Sequence, residues 1–362
     1  MKRNIGIAPC SKHFNQRLNE VDKELSNYYV LGFQSNNPKR DSRFRVLEVK
    51  ADVKGATIKH RDGYLDPRPL DALASSKEER ALINAMASPV PATQLPVSLR
   101  AAYIYESPDL ARIPVSAKIR AAAIEIKKKG GQLGGDINIM GIAYAEDGSI
   151  SARFSESQHL LIDKESEATF RQRNLIYRNY FKLHPGKYQL RLAVSDEQGK
   201  IGSAEQSLMI PPMPQNDLVA SSLIVADQVS RLPDLIQGLQ ARLLEENDPL
   251  TFNGLQITPS ADNQLPINSP LQVFFKLYNL SGNPEQRQFV AKVQLLGEKG
   301  ETQALPSTPL NQNVFPTGKT EAMVGIPLLF DKATPGKYRL VIVTSETTSN
   351  QSVTVQTDLQ FQ

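Results

Sequence analysis

Two stretches 150 residues apart nearly repeat each other, and this repeat constrains the fold more than any other feature. PGKYQLRLAVS (Pro185 to Ser195) and PGKYRLVIVTS (Pro335 to Ser345) are identical at six of eleven positions. In both, Pro-Gly turns the chain and a tyrosine opens a row of period two. The rows are Tyr188, Leu190, Leu192, Val194 and Tyr338, Leu340, Ile342. Alternation at that period marks a strand with one buried face. Each copy follows an apolar run and precedes a polar turn and a last alternating run. In the final run Val353, Val355, Thr357, Leu359 and Phe361 share one face. Solenoid repeats span roughly 20–50 residues, so so long a period means duplicated domains.

Runs of the same kind fill the rest of the chain from Val97 onward. VSLRAAYIY, PVSAKIRAAAI, INIMGIAYA, SARFSES, NLIYRNYFKL, KYQLRLAVS and AEQSLMI are parted by Gly, Pro, Asp and Asn turns. Asp147-Gly148 between two of them is a hairpin signal. About seven strands in about 120 residues is the count of an immunoglobulin-like sandwich. After PPMPQNDL the pattern resumes with LVASSLIVA, GLQIT, PLQVFFKLYNL, FVAKVQLLG, MVGIPLLF, KYRLVIVT and SVTVQTDLQF, with a helix expected over 233–246. Proline (24) exceeds glycine (21) and tryptophan is absent, a profile that suits strands and turns. With 362 residues, 40% of them hydrophobic, the chain has material for two or three packed domains.

The reading is a mainly β fold: two tandem immunoglobulin-like β-sandwich domains, 97–212 and 213–362, after a small α/β N-terminal segment, 1–66. Residues 67–96 read as a linker with a short helix. Ser75 and Glu78 form a capping box there, and Ala81, Leu82, Ala85 and Met86 give an apolar face. The prolines of SPVPATQLP end that helix. In the first segment Phe14, Leu18, Val21 and Leu25 predict a helix over 15–26. It leads into the strand NYYVLGFQ, apolar on both faces, then into RFRVLEVKAD and a short strand over 56–60.

YYVLGF (Tyr28 to Phe33), Asp41, Phe44, Arg45 and the R-x-G-Y-x-x-P of Arg61, Gly63, Tyr64 and Pro67 together resemble the end of the bacterial von Willebrand factor A-related (VWFA-related) domain. DPLTFNGLQITP (Asp248 to Pro259) with PLQVFFKLYNL is similar to that family's downstream region. The resemblance implies that 1–66 is the C-terminal remnant of an A-type domain, followed by β-rich domains, in an extracytoplasmic protein. The family's metal-ion-dependent site opens with D-x-S-x-S early in the A domain. This chain has that pattern at Asp147, Ser149 and Ser151, where Asp-Gly is expected to close a hairpin instead.

Composition narrows the chemistry. Cys10 is the only cysteine, which excludes an intramolecular disulfide and a cysteine-based zinc site. His13, His60, His159 and His184 show no metal-ligand spacing, and no P-loop, G-x-S-x-G or G-x-G-x-x-G motif occurs. KKKGGQLGGD (Lys127 to Asp136) lacks the following Lys-Ser/Thr of a phosphate loop and reads as a mobile hairpin loop. Glu245, Glu246 and Asp248 cluster without the spacing of a calcium loop and read as solvated surface. Net charge is spread unevenly, +5 over 1–66, +3 over 67–212 and −4 over 213–362, yet no one element concentrates the basic charge expected of a nucleic-acid binder. No run approaches the ~20 apolar residues of a membrane helix, and MKRNIGIAPC lacks a signal-peptide core.

These exclusions leave no catalytic, cofactor-binding or metal-ligating residue to name. The expected function is a non-enzymatic interaction or structural module that binds an unknown protein or glycan. The alternative is a hydrolase, or its accessory domain, with a loop-built acidic site. Two outcomes are expected. Titration calorimetry with Mg²⁺ or Mn²⁺ should not distinguish the protein from Asp147→Ala, and loss of a binding event would restore the adhesion-site reading. A chain starting near Leu70 should keep the cooperative melt of the sandwiches and sediment more cleanly as a monomer; earlier melting would make 14–66 integral to the fold.

Overall fold

The computed structural model describes residues 44–50, 52, 63–65, 77–129, 132–232, 248–280, 287–310, 313–316, 320–347, 349 and 351–362. The helices expected over 15–26 and 233–246, the NYYVLGFQ strand and the strand over 56–60 lie outside them. The fold is mainly β. Strands β1 (Phe44–Val46) and β2 (Gly63–Leu65) form an antiparallel pair that carries four residues of the resemblance above. Helix α1 (Lys77–Ala87) follows.

The next sheet centres on β5 (Leu110–Arg120). β3 (Val97–Ala101) and β4 (Ile104–Ser107) pair with successive halves of its one side and β9 (Asn174–Leu183) with the other. Facing it, β11 (Ile201–Ile210), β10 (Gly186–Asp196), β7 (Gln132–Ala145) and β8 (Ile150–Ile162) lie in that order, with β6 (Lys127–Lys129) a short hairpin on β7. A short helix α2 (Glu167–Gln172) carries the chain from β8 to β9. Alternate residues of β5, namely Ile113, Val115, Ala117 and Ile119, meet Ile137, Ile139, Leu190, Leu192 and Val194 from the facing sheet in one core.

The strand order then recurs. β17 (Leu271–Tyr278) is flanked by β13 (Ile224–Arg231) and β22 (Glu321–Leu328). Shorter pieces extend that sheet: β12 (Val219–Ala220), β14 (Thr251–Phe252), β15 (Leu255–Pro259) and β21 (Val314–Pro316). Facing it are β24 (Ser352–Phe361), β23 (Gly336–Glu346) and β18 (Phe289–Gly297), with β16 (Gln264–Leu265) outside β24 and β19 (Thr302–Ala304) and β20 (Thr308–Pro309) on β18.

The repeated hairpin occupies the same place in both halves. Tyr188 lies between Leu208 of β11 and Ala145 of β7, and Tyr338 between Leu359 of β24 and Gly297 of β18. Gly186 and Gly336 share a φ of 158°. Each tyrosine hydroxyl reaches back four residues. Tyr188 donates to the His184 carbonyl at 3.0 Å, and the Tyr338 oxygen lies 2.9 Å from Thr334 Oγ1. A tyrosine at the start of this strand that bonds back across the corner recurs in immunoglobulin-like sandwiches. It anchors the turn that joins the two sheets.

The stretch read as a linker belongs, from Lys77 on, to the first sandwich. Leu82 and Met86 are fully buried against Met140, Ile142 and Ala193 on the outer face of β7 and β10. Arg191 donates to the Met86 carbonyl at 2.6 Å, satisfying an orphan acceptor at the helix end. Beyond the helix the chain runs along β11: Ser203 N donates to Ala92 O at 2.9 Å and Leu95 N to Ile201 O at 3.2 Å. The prolines stop the helix but leave these intervening groups free to pair with the sheet.

One glycine is dictated by packing. A Cβ on Gly141 of β7 would sit 2.3 Å from the Phe154 ring of β8, which fills the space itself and stacks on Phe181 at 4.9 Å. Gly141→Val should displace that ring and cost about 1–3 kcal/mol, read as a lower denaturant midpoint at unchanged m-value. Adding Phe154→Ala should recover part of the loss; an unaltered midpoint in the single variant would refute this packing account.

Candidate interaction surface

A buried seam removes a large part of the surface from consideration. The core of the first sandwich runs without a break into Ile224, Phe252, Ile257, Phe274, Tyr278 and Met323, on the outward face of the β13–β17–β22 sheet. Tyr105 and Tyr278 meet edge-on at 5.5 Å. Around them the polar groups pair across the seam. Ser116 Oγ donates to Pro259 O at 2.8 Å, Tyr103 N to Ser222 Oγ at 2.9 Å and Ser222 N to Tyr103 O at 3.0 Å. Arg178 donates to Ile257 O at 3.0 Å and to Asp248 Oδ2 at 2.9 Å, and Lys118 pairs with Asp262.

The seam corrects one sequence reading. Asp248 is held by Arg178, Leu250 N and Thr251 Oγ1, so it is a structural acceptor and not solvated surface. Glu245 and Glu246 lie outside the described residues. Asp147 closes the β7–β8 hairpin: its Oδ1 accepts from Ser149 N at 2.9 Å and Ser149 Oγ at 2.6 Å, and Gly148 takes φ +83°. The serine hydroxyl, foremost, and the Ser149 amide hold the Asp147 carboxyl below its usual range. His159 pairs with Asp136 on the surface, and His184 lies 2.6 Å from the Asp109 carbonyl. His13 and His60 lie outside the described residues.

The glycine-rich stretch is also different from expectation. Gly134 and Gly135 are inside β7, where a Cβ would approach Leu160 O to 2.8 Å and Glu125 O to 3.0 Å. Close passage of neighbouring backbone demands glycine there, and neither residue is left to cradle an anion.

Sheet edges remain. An unpaired edge is a row of unused N–H and C=O groups, and proteins generally cover it. Residues 92–95 take the edge of β11, while the Gln206 amide bonds both Ala101 N at 2.8 Å and Ala101 O at 3.1 Å. β16 covers β24, β19 and β20 cover β18, and β21 covers part of β22. On β9, Asn179 Oδ1 occupies Tyr180 N at 2.7 Å. Among the described residues β8 has no such occupant. From Phe154 to Ile162 its backbone pairs with β7, and among the described residues no further backbone or side-chain hydrogen bond reaches it.

Beside that edge, on its inward row, stands Glu156. Tyr177 donates to it at 3.0 Å and Asn179 Nδ2 at 3.1 Å, and among the described residues no Lys or Arg pairs with it. Burial, and then the Glu156 charge, push the Tyr177 hydroxyl far above its usual pKa, so it remains a donor. Phe154 stacks on Tyr177 at 5.9 Å and on Phe181. The site is thus a half-buried carboxylate with neutral partners, next to an open edge. Sequence reasoning missed it because Glu156 sits in a serine-rich run, SARFSES, with no motif around it.

No family model matches the chain and no curated protein matches it. Solved structures do. An α-2-macroglobulin of Salmonella reacted with methylamine aligns at 8% identity and TM-score 0.29, over 74% of this chain and 25% of its own. The C-terminal domain of the AgI/II polypeptide BspA of Streptococcus agalactiae aligns at 10% identity and TM-score 0.18, over 73% of this chain and all of its own. Dimeric latent PorU of Porphyromonas gingivalis aligns at 9% identity and TM-score 0.23, over 74% and 24%. The chain spans about a quarter of the macroglobulin it matches.

Proposed function

We propose that the chain is a non-enzymatic protein-binding module, the β-rich accessory part of a VWFA-related protein. Its two sandwiches are locked together so that the edge of β8 is presented from a stiff support. The observation that carries this reading is the seam. Central strands β5 and β17 are each buried on both faces, and the polar groups between them pair across the join. A join of that kind holds the second sandwich at a fixed angle to the first. The polar groups that sequence analysis singled out serve turns and seam: Asp147 closes a hairpin and Asp248 holds Arg178.

Arrays of immobilised peptides and of glycans, probed with the labelled full chain, test the reading. Peptide spots should retain the chain and be recovered intact by mass spectrometry after prolonged incubation. Cleaved or released spots would establish the hydrolase alternative, and retention by glycans alone would replace protein by carbohydrate as the ligand.

A further inference from the structure

Building on the protein-binding reading, we infer that β8 is a strand-addition site for an extended segment of another protein, one that sets a Lys or Arg opposite Glu156. Nine residues of open edge, Phe154 to Ile162, offer backbone groups at strand spacing over roughly 30 Å. An added strand matches such a row group for group, and this mode of peptide capture takes affinity from main-chain bonds and selectivity from alternate side chains.

The alternate side chains define the ligand. Along the inward row Phe154, Glu156, Gln158 and Leu160 follow one another, with Phe154 and Leu160 packed partly into the core. An added antiparallel strand, the arrangement β7 and β8 already share, meets them in reverse order. From its N-terminus it reads apolar, any, polar, any, basic, any, apolar. The basic residue supplies the charge that Tyr177 and Asn179 cannot, because both bind the carboxylate as neutral donors.

A second copy of this chain is a poor occupant. Its own inward row, Ala152 through Ile162 by twos, contains no Lys or Arg, and pairing the edge 154–162 with itself, centred on Gln158, sets Leu160 opposite Glu156. The apolar Leu160 leaves the Glu156 carboxylate without a counter-charge in that pairing.

Selection of random dodecapeptides on the immobilised full chain tests the inference. Enriched peptides should share a Lys or Arg with apolar residues two positions after and four before it. They should slow amide exchange over 154–162. Glu156→Lys should weaken them at least tenfold, and exchanging the peptide's basic residue for Glu should restore binding to that variant, which also shows that the variant folds. Peptides that ignore Glu156→Lys and protect another region would overturn the edge assignment while leaving a binding module. Failure to enrich any peptide would count against both readings, and chain dimerisation through protected 154–162 amides would replace the foreign strand by a second copy.

Discussion

The structure depends on two strands being buried twice. In a lone sandwich a central strand gives one face to the core and the other to water, and its sequence alternates accordingly. β17 does not alternate. Leu271, Val273, Phe275 and Leu277 enter its own core, while Phe274 and Tyr278 enter the one shared with the first sandwich. β5 meets the same constraint with polar residues: Ser116, only 1% exposed, bonds Pro259, and Lys118 pairs with Asp262. Were the seam opened, an aromatic patch on one sheet and unpaired polar groups on the other would face water together. The apolar half drives the join, and the polar half fixes its register, since a buried donor without a partner costs about 1–3 kcal/mol.

The same logic decides what covers each remaining face. On the first sandwich the outward residues of β7 and β10 include Met140, Ile142 and Ala193, and α1 lies over them. The equivalent face of the second carries Val341 and Val343 among Lys292, Gln294, Thr354 and Gln356, which can meet water directly. Two sheets of one pattern thus need different surroundings, and their outward residues state the difference. A helix that reads as a tether in one dimension is a lid in three.

How much of this was legible follows from range. NLIYRNYFKL, FVAKVQLLG and SVTVQTDLQF are strands from end to end, because alternation is a local signal and their turns carry Gly, Pro or Asn. VSLRAAYIY and LVASSLIVA each broke into two strands, at Ala102–Tyr103 and Ser221–Leu223, where Tyr103 and Ser222 turn their backbone groups to each other across the seam. That exchange joins residues 119 apart, and no local pattern announces it. Asp248 looked like loose surface for the same reason: its partner Arg178 is 70 residues away. Glu156 was hidden differently. Its significance lies in the edge of β8, which no other described strand covers, and an uncovered edge is a property of the whole sheet order.

The repeat itself carries a further lesson about which end of a sandwich is fixed. With an offset of 150 the copies agree over Pro-Gly-Lys-Tyr and diverge toward the other end, where Val194 becomes Thr344 and Asp196 becomes Glu346. At the shared end the tyrosine ties the corner in both. At the far end Asp196 accepts from the amides of Glu125, Gln198 and Lys200, closing the turn between β10 and β11. Glu346, one methylene longer and 2% exposed, takes Ser349 on one oxygen, and among the described residues neither its Oε1 nor the fully buried Thr344 hydroxyl has a hydrogen-bond partner. The strand accepts valine at the matching position of the first copy, so the fold does not require that hydroxyl. Backbone geometry holds the tyrosine corner in common, whereas the opposite end is free to diverge, and only the first copy has used that freedom to satisfy every polar atom of its buried carboxylate.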